Sequence, residues 1–539
     1  MLKDQLENAL LPNGINQQEQ FLPAGSLQSI CNETAVLTEL SGYFDSEQAK
    51  QYTRYVCDQN KPARQIFSIL ALINQIELIP SFQDAGFFDQ DLPLTKNTEG
   101  LGLRSRCPQD QRSILLATSP QNLETIRDFS LKQWCIHVPS FETGIGGNCE
   151  DLVLDSSTIL PWESAGQNNI SGGYGYVQRV RIHKDHNSFE TKYKDFALKT
   201  ILPAKEHTRG IFKQELVAFR KVRPGPNLLE LISAFQISGK GQFMLLFPWA
   251  EGGSMDDMMG RPSEDVFRSR QKSPKDFVQW TISQCRGLVE ALGAVHQVNI
   301  VRRMDEGTSG GQARSFGIHL DIKPANILYF SQENARHPLG VLKIADFGLT
   351  KCSQQYRSPE HDIGYIISRK VDIWALGCIF FELFTWMLLG LKARQEFRQA
   401  RMQDTLFSGD WDHIGNGFEN DTEDNFFQRH IEIIGWNKGT KATSKAERRI
   451  LESNSSTCPN KINQTQTPRL KPSISQWIAK LGYEIRRKNG PAFLTWLLEF
   501  ITDDMLHPER GDRAGYERIL DYFNKFVDKK LPRNWDIKI

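Results

Sequence analysis

The stretch at residues 319–348 constrains the fold of this 539-residue chain more than any other part of it. Two short apolar runs, at residues 327–329 and 341–344, are typical of buried strands, and the polar segment between them predicts a turn. Such a hairpin would gather four polar side chains around one point: Asp321, Lys323, Asn326 and Asp346. Polar groups beside buried strands need compensating partners, and a metal–phosphate complex would supply them.

This stretch resembles the catalytic loop and the magnesium loop of eukaryotic serine/threonine protein kinases. The resemblance is carried by His-Leu-Asp-Ile-Lys-Pro-Ala-Asn at residues 319–326 and by Ala-Asp-Phe-Gly at residues 345–348. It implies an α+β, bilobal protein kinase-like fold, with a small antiparallel β lobe that includes one helix and a large, mainly helical lobe. It also implies an enzyme that transfers the γ-phosphate of ATP, with Mg²⁺, to a serine or threonine hydroxyl of a protein substrate.

The resemblance assigns a role to each polar side chain of the stretch. Asp321 matches the residue that positions the substrate hydroxyl and accepts its proton, and Lys323 matches the lysine that neutralises the moving phosphoryl group. Asn326 and Asp346 match the two magnesium ligands. The tetrad Lys-Pro-Ala-Asn at residues 323–326 resembles the serine/threonine branch of the family rather than the tyrosine branch.

Length and composition agree with a large folded protein of two or three domains. The net charge of +1 gives no indication of nucleic acid or of an anionic membrane as a partner. The nine cysteines form no Cys-x-x-Cys pair, which predicts reduced thiols, no zinc site and an intracellular location, cytoplasmic or nuclear. The first residues contain no apolar run of the kind found in a signal peptide.

Residues 1–155 are predicted to form a mainly helical N-terminal extension. Apolar spacing predicts helical segments, with the clearest at residues 63–79, and the others at residues 6–11, 35–43 and 49–55. Residues 129–141 are predicted to form a strand or an extended arm. The whole chain is similar to a broad group of fungal protein-kinase-domain proteins with such an extension, but the resemblance implies no role for it. A helical cap packed on the small lobe is favoured over an independent binding module.

The kinase domain is expected at residues 156–530, with its small lobe at about 156–250. Ile-Ser-Gly-Gly-Tyr-Gly-Tyr-Val at residues 170–177 resembles the glycine-rich loop, and Ile170 stands where the family has its first glycine. Whether Ile170 weakens ATP binding is left open by the sequence. The resemblance places the nucleotide-binding residues at Gly172, Gly173, Gly175, Val177, Ala197, Lys199, Phe247, Pro248 and Ala250.

Lys199 lies on a predicted apolar strand at residues 196–199, where an unpaired charge would be costly to bury. The predicted helix at residues 210–222 offers Glu215 as its partner. By the resemblance, Lys199 holds the α- and β-phosphates of ATP and Glu215 fixes it. Strands are predicted at residues 235–237 and 242–247, ahead of the segment that resembles the hinge. There Phe247 would back the adenine pocket, Pro248 would offer its carbonyl and Ala250 its N–H group.

The large lobe is expected at about residues 251–530. It has a predicted long helix at residues 276–296, a polar loop at 299–316, and an irregular region with short helices at 392–472 that contains a polar insert at about 437–469. Helices at residues 474–481, 492–501 and 513–526 would close the lobe. The arginines of the 299–316 loop could form a docking patch, but a solvated loop is favoured. The apolar run at 373–391 is read as a buried helix, with a membrane span as the alternative.

The segment Leu-Thr-Lys-Cys-Ser-Gln-Gln-Tyr-Arg-Ser-Pro-Glu at residues 349–360 resembles a short activation segment. Ser353 falls where the family has a threonine that hydrogen-bonds the catalytic acid and lysine. The resemblance also implies that Asp372 braces the catalytic loop. Either of two arginines could pair with Glu360, and the sequence leaves the choice between Arg510 and Arg513 open.

The residue before the catalytic aspartate is Leu320, where the family often has an arginine that binds a phosphate on the activation segment. Because leucine cannot do this, activity is predicted not to depend on phosphorylation of the activation segment. The alternative function is a pseudokinase, which would bind nucleotide or act as a scaffold without useful turnover. The sequence does not identify the substrate, the pathway or the oligomeric state.

Overall fold

The computed structural model describes residues 2–97, 100–107, 109–115, 120–141, 151–166, 170–172, 175–188, 193–202, 216–217, 219–239, 241–268, 273–302, 313–331, 338–346, 354–405, 407–409, 423–434 and 463–527. The chain divides into two units. The first consists of Met1–Phe212 and Leu231–Trp249, and the second of Lys213–Glu230 and Ala250–Ile539. Both units contain helices and strands, which confirms the α+β class.

The first unit combines a helical part with a sheet. The helices of its described residues are α1 (Leu2–Ala9), α2 (Ala24–Ile30), α3 (Glu33–Leu40), α4 (Ser46–Val56), α5 (Arg64–Leu72), α6 (Ile79–Asp84) and α7 (Pro120–Ile136). Its strands are β1 (Leu11–Pro12), β2 (Gln20–Phe21), β3 (Thr95–Lys96), β4 (Gly102–Arg104), β5 (Ser113–Leu115), β6 (Asp151–Leu154), β7 (Trp162–Ala165), β8 (Ile170–Gly172), β9 (Gly175–Ile182), β10 (Phe196–Ile201), β11 (Ser233–Ile237) and β12 (Gln242–Pro248).

The second unit is mainly helical. The helices of its described residues are α8 (Met255–Met259), α9 (Ser263–Arg268), α10 (Pro274–His296), α11 (Glu360–Ile363), α12 (Lys370–Gln403), α13 (Pro472–Arg487), α14 (Ala492–Phe500) and α15 (Tyr516–Val527). Its strands are β13 (Asn299–Arg302), β14 (Ala313–Phe316), β15 (Ile327–Phe330), β16 (Val341–Ile344), β17 (Phe407–Gly409), β18 (Phe427–Ile434) and β19 (Asn463–Leu470).

The helix predicted at residues 63–79 is divided into three pieces. Helix α5 ends at Leu72, Asn74 adopts a left-handed conformation with φ of 54°, and a 3₁₀ turn at Ile76–Leu78 leads into α6. Asparagine tolerates the left-handed region better than most residues, and Pro80 suits the first turn of a new helix but not the interior of one. The prediction of one continuous helix was therefore wrong, although the other three helical segments lie on α1, α3 and α4.

The strand or extended arm predicted at residues 129–141 is also wrong, because residues up to Ile136 belong to α7. The buried residues of this helix include Ile126, Phe129, Gln133 and Ile136, which follow the helical spacing of three or four. The Gln133 side chain accepts a hydrogen bond from the Leu94 N–H (2.9 Å) and donates one to the Leu94 carbonyl (3.0 Å). The aromatic residues that suggested a strand pack instead in a helical core.

The sheet of the first unit has the strand order β6-β11-β12-β10-β9-β7, and β8 also pairs with β9. All pairs are antiparallel except β6 with β11. The strands predicted at residues 196–199, 235–237 and 242–247 are confirmed as parts of β10, β11 and β12. Buried Phe196, Leu198, Phe235 and Leu246 form part of the apolar cluster on one face of this sheet.

The helical extension packs directly on this sheet. The Asn13 side chain donates to the Leu160 carbonyl (2.8 Å), and the Gly14 N–H donates to the Trp162 carbonyl (2.6 Å). Arg106 of the extension forms an ion pair with Asp155 at 2.7 Å. These contacts favour the helical cap over the independent module.

A further contact between the extension and the sheet, at His186, makes the stability of the first unit sensitive to acid. His186, 3% exposed, accepts a hydrogen bond from the Ala24 N–H at Nε2 (3.2 Å), which requires an unprotonated nitrogen. Burial first, and then the neighbouring His183, lower the pKa of His186 below its ordinary 6.5, an effect that Asp185 opposes.

We therefore expect this contribution to stability to be fully present above pH 6.5. It should be lost as the pH falls from 6.5 towards the lowered pKa, because the unfolded chain then binds a proton that the folded chain excludes. The melting temperature of the wild type, measured from pH 7.5 to 5, should fall more steeply than that of His186→Gln, whose amide oxygen accepts the same bond at every pH. Parallel curves for the two proteins would contradict the assignment.

Helix α12 forms the core of the second unit. By length and composition it could cross a membrane, but 89% of its most apolar window is buried inside the protein. The fully buried side chains on it include Trp374, Phe380, Phe381 and Trp386. Helical geometry is interrupted at Gly390, where φ is 81°. The interpretation of the apolar run as a buried helix is confirmed.

Two predictions in the second unit were wrong. The ends of the polar loop at residues 299–316 pair as antiparallel strands β13 and β14, and the loop between them lies outside the described residues. The region at 392–472 contains the end of α12 and a three-stranded sheet of order β17-β18-β19 rather than short helices alone. Strand β19 contains Pro468, which an edge strand tolerates because its missing N–H is not needed.

Candidate active site

The catalytic stretch begins with a loop that holds Asp321 between two polar partners. Lys323 Nζ lies 2.7 Å from Asp321 Oδ2, and Asn326 Nδ2 donates to the same oxygen and to the Asp321 carbonyl, both at 2.9 Å. Asp321 is only 3% exposed, whereas the Lys323 side chain is 29% exposed. A buried carboxylate needs such charged and polar neighbours, and they fix its orientation.

Asp372, at the start of α12, braces the backbone just before Asp321. Its carboxylate accepts the N–H groups of His319 (2.8 Å) and Leu320 (2.9 Å), and it lies 2.9 Å from His296 Nε2. Leu320 has φ of 68°, a left-handed conformation that is unfavourable for a leucine and needs support from its surroundings. The contact of Asp372 with the loop agrees with the resemblance, whereas no pattern in the sequence indicated a role for His296.

The predicted hairpin is confirmed as β15 and β16, with Ile327 opposite Ile344 and Phe330 opposite Val341. Just beyond the paired residues, the Ala345 N–H donates to the Asn326 carbonyl at 2.9 Å. The next residue, Asp346, has φ of 61° and is partly buried. The hairpin therefore brings Asn326 and Asp346 to the same end of two paired strands.

The residues expected to bind nucleotide in the first unit lie on three adjacent strands. Lys199 pairs with Val177 on one side and with Leu245 on the other, and Ala197 pairs with Phe247. Directly paired residues, and residues two positions apart on one strand, project to the same face of a sheet. Val177, Ala197, Lys199 and Phe247 therefore share one face.

The remaining residues expected to bind nucleotide are the glycines of β8 and β9 and the residues at the end of β12 and just after it. Gly172 ends β8 and pairs with Gly175 at the start of β9. A Cβ atom at Gly175 would lie 1.9 Å from the Thr200 carbonyl oxygen, so only glycine fits there. Pro248 ends β12, and Ala250 is a buried residue at the start of a segment of the second unit.

Two of the expected site residues, Gly173 and Glu215, lie outside the described residues. Leu216, directly after Glu215, is buried and helical, as the predicted helix at residues 210–222 requires. The activation-segment residues Thr350 and Ser353 also lie outside the described residues.

The end of the activation segment is anchored by a buried ion pair. Arg513 Nη1 lies 2.8 Å from Glu360 Oε1, and both side chains are at most 1% exposed. Arg510 instead donates to the Ile366 carbonyl. Of the two candidates, Arg513 is therefore the partner of Glu360.

A second buried cluster was missed by the sequence analysis. Glu382, on the apolar helix α12, is 2% exposed and lies 2.8 Å from Arg401 Nη2, while the Tyr356 hydroxyl donates to it at 3.2 Å. The Arg401 guanidinium also stacks on the rings of Phe397 and Phe426, at 4.3 and 4.4 Å from their centroids. The signal was available as a lone acid inside an apolar helix, which is costly to bury without a partner.

Comparison with known proteins agrees with this geometry. The chain is 25% identical over 230 residues to serine/threonine-protein kinase Nek2 of Mus musculus, an alignment that covers 40% of this chain and 45% of that protein. It is 28% identical over 229 residues to mitogen-activated protein kinase kinase 1 of Arabidopsis thaliana, covering 40% and 52%. A probable serine/threonine-protein kinase, the KIN28 homolog of Encephalitozoon cuniculi, is 33% identical over 134 residues, covering 22% and 34%. The chain thus spans about half or less of the length of these relatives.

A family model extends the similarity beyond these pairwise alignments. The model described as "Protein kinase domain" matches residues 171–521, which is more than half of the 539-residue chain. The matched range contains the catalytic loop, the hairpin, Lys199 and the Glu360–Arg513 pair. The chain belongs to the protein kinase domain family.

Proposed function

We propose that this protein is an ATP-dependent protein kinase that transfers the γ-phosphate to serine or threonine hydroxyls of a protein substrate. The observation that carries the proposal is the arrangement of Asp321, Lys323 and Asn326 on a loop braced by Asp372. Phosphoryl transfer depends on positioning and on charge neutralisation more than on covalent participation by the protein. A rigid loop with one oriented carboxylate and one adjacent cation meets both needs.

In this proposal Asp321 accepts the proton of the substrate hydroxyl and orients its oxygen for attack. The hydrogen bond from Asn326 and the ion pair with Lys323 hold one carboxylate oxygen in place. Lys323, whose side chain is more exposed than that of Asp321, neutralises negative charge on the transferred group.

The residues at the end of the hairpin fit a magnesium ion. Asn326 commits its amide nitrogen to Asp321, so its amide oxygen is the group suited to a metal, and Asp346 adds a carboxylate. Magnesium prefers such hard oxygen donors, which would hold it together with phosphate oxygens. When bound, the ion supplies charge neutralisation at the phosphates.

The shared face of β9, β10 and β12 supports the nucleotide roles that the resemblance implies. In this proposal Lys199 binds the α- and β-phosphates, and Glu215 is its expected partner. Val177, Ala197 and Phe247 give an apolar surface for adenine, Pro248 and Ala250 offer backbone groups, and Gly172, Gly173 and Gly175 allow the backbone to approach the phosphates.

The test is transfer of label from γ-labelled ATP to a generic basic protein substrate, followed by phosphoamino-acid analysis. We expect phosphoserine or phosphothreonine, and no transfer when EDTA removes divalent cations. Label confined to tyrosine, or transfer that is unaffected by EDTA, would contradict the proposal. A pseudokinase is the second candidate, because Ile170 stands where the family has its first glycine; it would bind ATP without transfer.

We further propose that activity does not require phosphorylation of the activation segment. Leu320 cannot bind a phosphate, and the end of the segment is held by other contacts. Besides the Glu360–Arg513 pair, Arg357 Nη2 lies 3.1 Å from Asp362 and 2.9 Å from Glu423. These ion pairs are available without any modification.

The corresponding prediction is that phosphatase treatment leaves the rate of transfer unchanged. Thr350→Ala should likewise keep the wild-type rate of transfer. The Ser353 hydroxyl is expected to contact the catalytic acid, so Ser353 is tested by phosphatase treatment and not by its removal. An inactive dephosphorylated protein that regains activity when Thr350 or Ser353 is phosphorylated would contradict the proposal.

A further inference from the structure

Residues 13–25 of the helical extension contact the sheet of the first unit at two separate places. The first is the start of strand β7 and the residues just before it, where the Asn13 side chain donates to the Leu160 carbonyl and the Gly14 N–H donates to the Trp162 carbonyl. A Cβ atom at Gly14 would lie 2.7 Å from Ser164 Cα, so the two backbones are as close as a glycine permits. Trp162 in turn pairs with Ile182 of β9.

The second place is the turn that follows β9. Phe21 is fully buried, and its ring meets the rings of His183 and His186 edge-on, at 6.0 Å between centroids in both cases. The Ala24 N–H donates to His186 Nε2 (3.2 Å), and the Gly25 N–H donates to Asp185 Oδ2 (2.9 Å). The extension therefore supplies both an apolar contact and two directed hydrogen bonds to this turn.

The turn at residues 183–186, which the extension contacts, directly follows one of the strands that carry the expected nucleotide-binding residues. Strand β9 begins at Gly175 and ends at Ile182, directly before the turn, and β10 follows with Lys199 opposite Val177. The register of β7 with β9 and of β9 with β10 links both contact places to these residues. A shift of β7 or of the turn would be transmitted along paired strands, because packed strands do not deform independently.

We propose that residues 13–25 are a positioning element for nucleotide binding: by fixing β7 and the 183–186 turn, they set the placement of β9 and β10 and thereby the affinity for ATP. This inference rests on the proposed function for its ligand. It makes the extension a working part of the nucleotide-binding lobe rather than a passive cover. No residue of the element is expected to touch the nucleotide.

The test uses full-length variants on both sides of the contact. Gly14→Ala forces the extension and β7 apart, and Asp185→Ala removes the acceptor of the Gly25 N–H. Asp185→Asn is the matched control, because its amide oxygen accepts the same bond. We expect the first two variants to bind Mg²⁺–ATP about fivefold more weakly, a change typical of coupling through packed elements. Asp185→Asn should bind like the wild type, and KM for the protein substrate should not change.

Hydrogen exchange of the amides in β9 and β10 gives a readout that does not depend on nucleotide. Faster exchange there in Gly14→Ala and Asp185→Ala, but not in Asp185→Asn, is the expected result. Unchanged exchange and unchanged ATP affinity in the two disrupted variants would overturn the inference while leaving the proposed function intact. Failure of the wild type to bind ATP would count against the proposed function, and exchange alone would then decide whether the element positions the strands.

Discussion

Asp321→Asn is expected to lower kcat for phosphoryl transfer by about 10²–10⁴-fold, the range typical of losing a general base. Asparagine has nearly the same shape and can still accept the hydrogen bond from Asn326, so the loop should keep its fold. It cannot accept a proton, and it no longer provides the negative partner of Lys323. ATP should still raise the melting temperature of the variant, since no nucleotide contact is removed.

Asp265→Asn is the matched control for this substitution. Asp265 is exposed in the first turn of α9 and has no role in the proposed chemistry, so its variant should keep the wild-type kcat. Steady-state kinetics with ATP and a protein substrate gives the comparison. Equal kcat values for the wild type and Asp321→Asn would show that Asp321 is not the base.

Arg513→Ala is expected to lower the free energy of unfolding by about 3–5 kcal/mol, the cost of leaving one charge of a buried pair without its partner. Besides Glu360, Arg513 donates to the carbonyls of Lys370 (2.8 Å) and His507 (3.0 Å), and its guanidinium lies 5.0 Å from the Trp374 ring centroid. The variant would therefore leave a buried carboxylate, open a cavity beside Trp374 and release the end of the activation segment. Denaturant unfolding measures the loss.

Arg510→Ala provides an internal control, because it removes the side chain of another arginine, three positions earlier in the sequence. Arg510 is only partly buried and donates to a single backbone carbonyl, so its loss should cost no more than about 1 kcal/mol. Glu360→Gln combined with Arg513→Met should recover part of the stability lost in either single variant, because neither charge is then buried alone. Equal costs for Arg510→Ala and Arg513→Ala would refute the assignment of the pair.

The catalytic stretch was predictable because its signals are local. Two apolar runs separated by a polar turn specify β15 and β16, and the spacing of Asp321, Lys323 and Asn326 is fixed by six residues of chain. Local patterns also located α10, α12 and the strands that carry Lys199 and Phe247. Each of these elements could be recognised without knowing what it packs against.

The elements that the sequence analysis missed depend on distant partners. Strand β18 pairs with β19, and Phe427 lies opposite Leu470. A polar stretch of sequence separates the two strands along the chain, so no local pattern indicated that they would pair. The contact of Asn13 with Leu160 spans 147 residues, so the docking of the extension could only be guessed. The prediction for the residues of α7 was wrong for a different reason, because their aromatic side chains favour a strand when their helical spacing is not considered.

The sequence could not decide whether Arg510 or Arg513 pairs with Glu360, for a third reason. Both are arginines near the same predicted helix, so residue type and spacing cannot rank them. The choice depends on which position is buried, and Arg513 precedes α15 in a segment where Ala514 N–H binds the Asp504 carbonyl at 2.8 Å. Burial of this kind follows from tertiary packing and not from local pattern.

We propose that this protein kinase domain transfers phosphate rather than only binding nucleotide. The most direct measurement is label incorporated into a protein substrate from γ-labelled ATP by the purified, phosphatase-treated full-length chain with Mg²⁺, together with the thermal shift caused by ATP in the same preparation. We predict both a thermal shift and label on serine or threonine that disappears in Asp321→Asn. A thermal shift without any transfer in the wild type would contradict the proposed transfer and identify a pseudokinase.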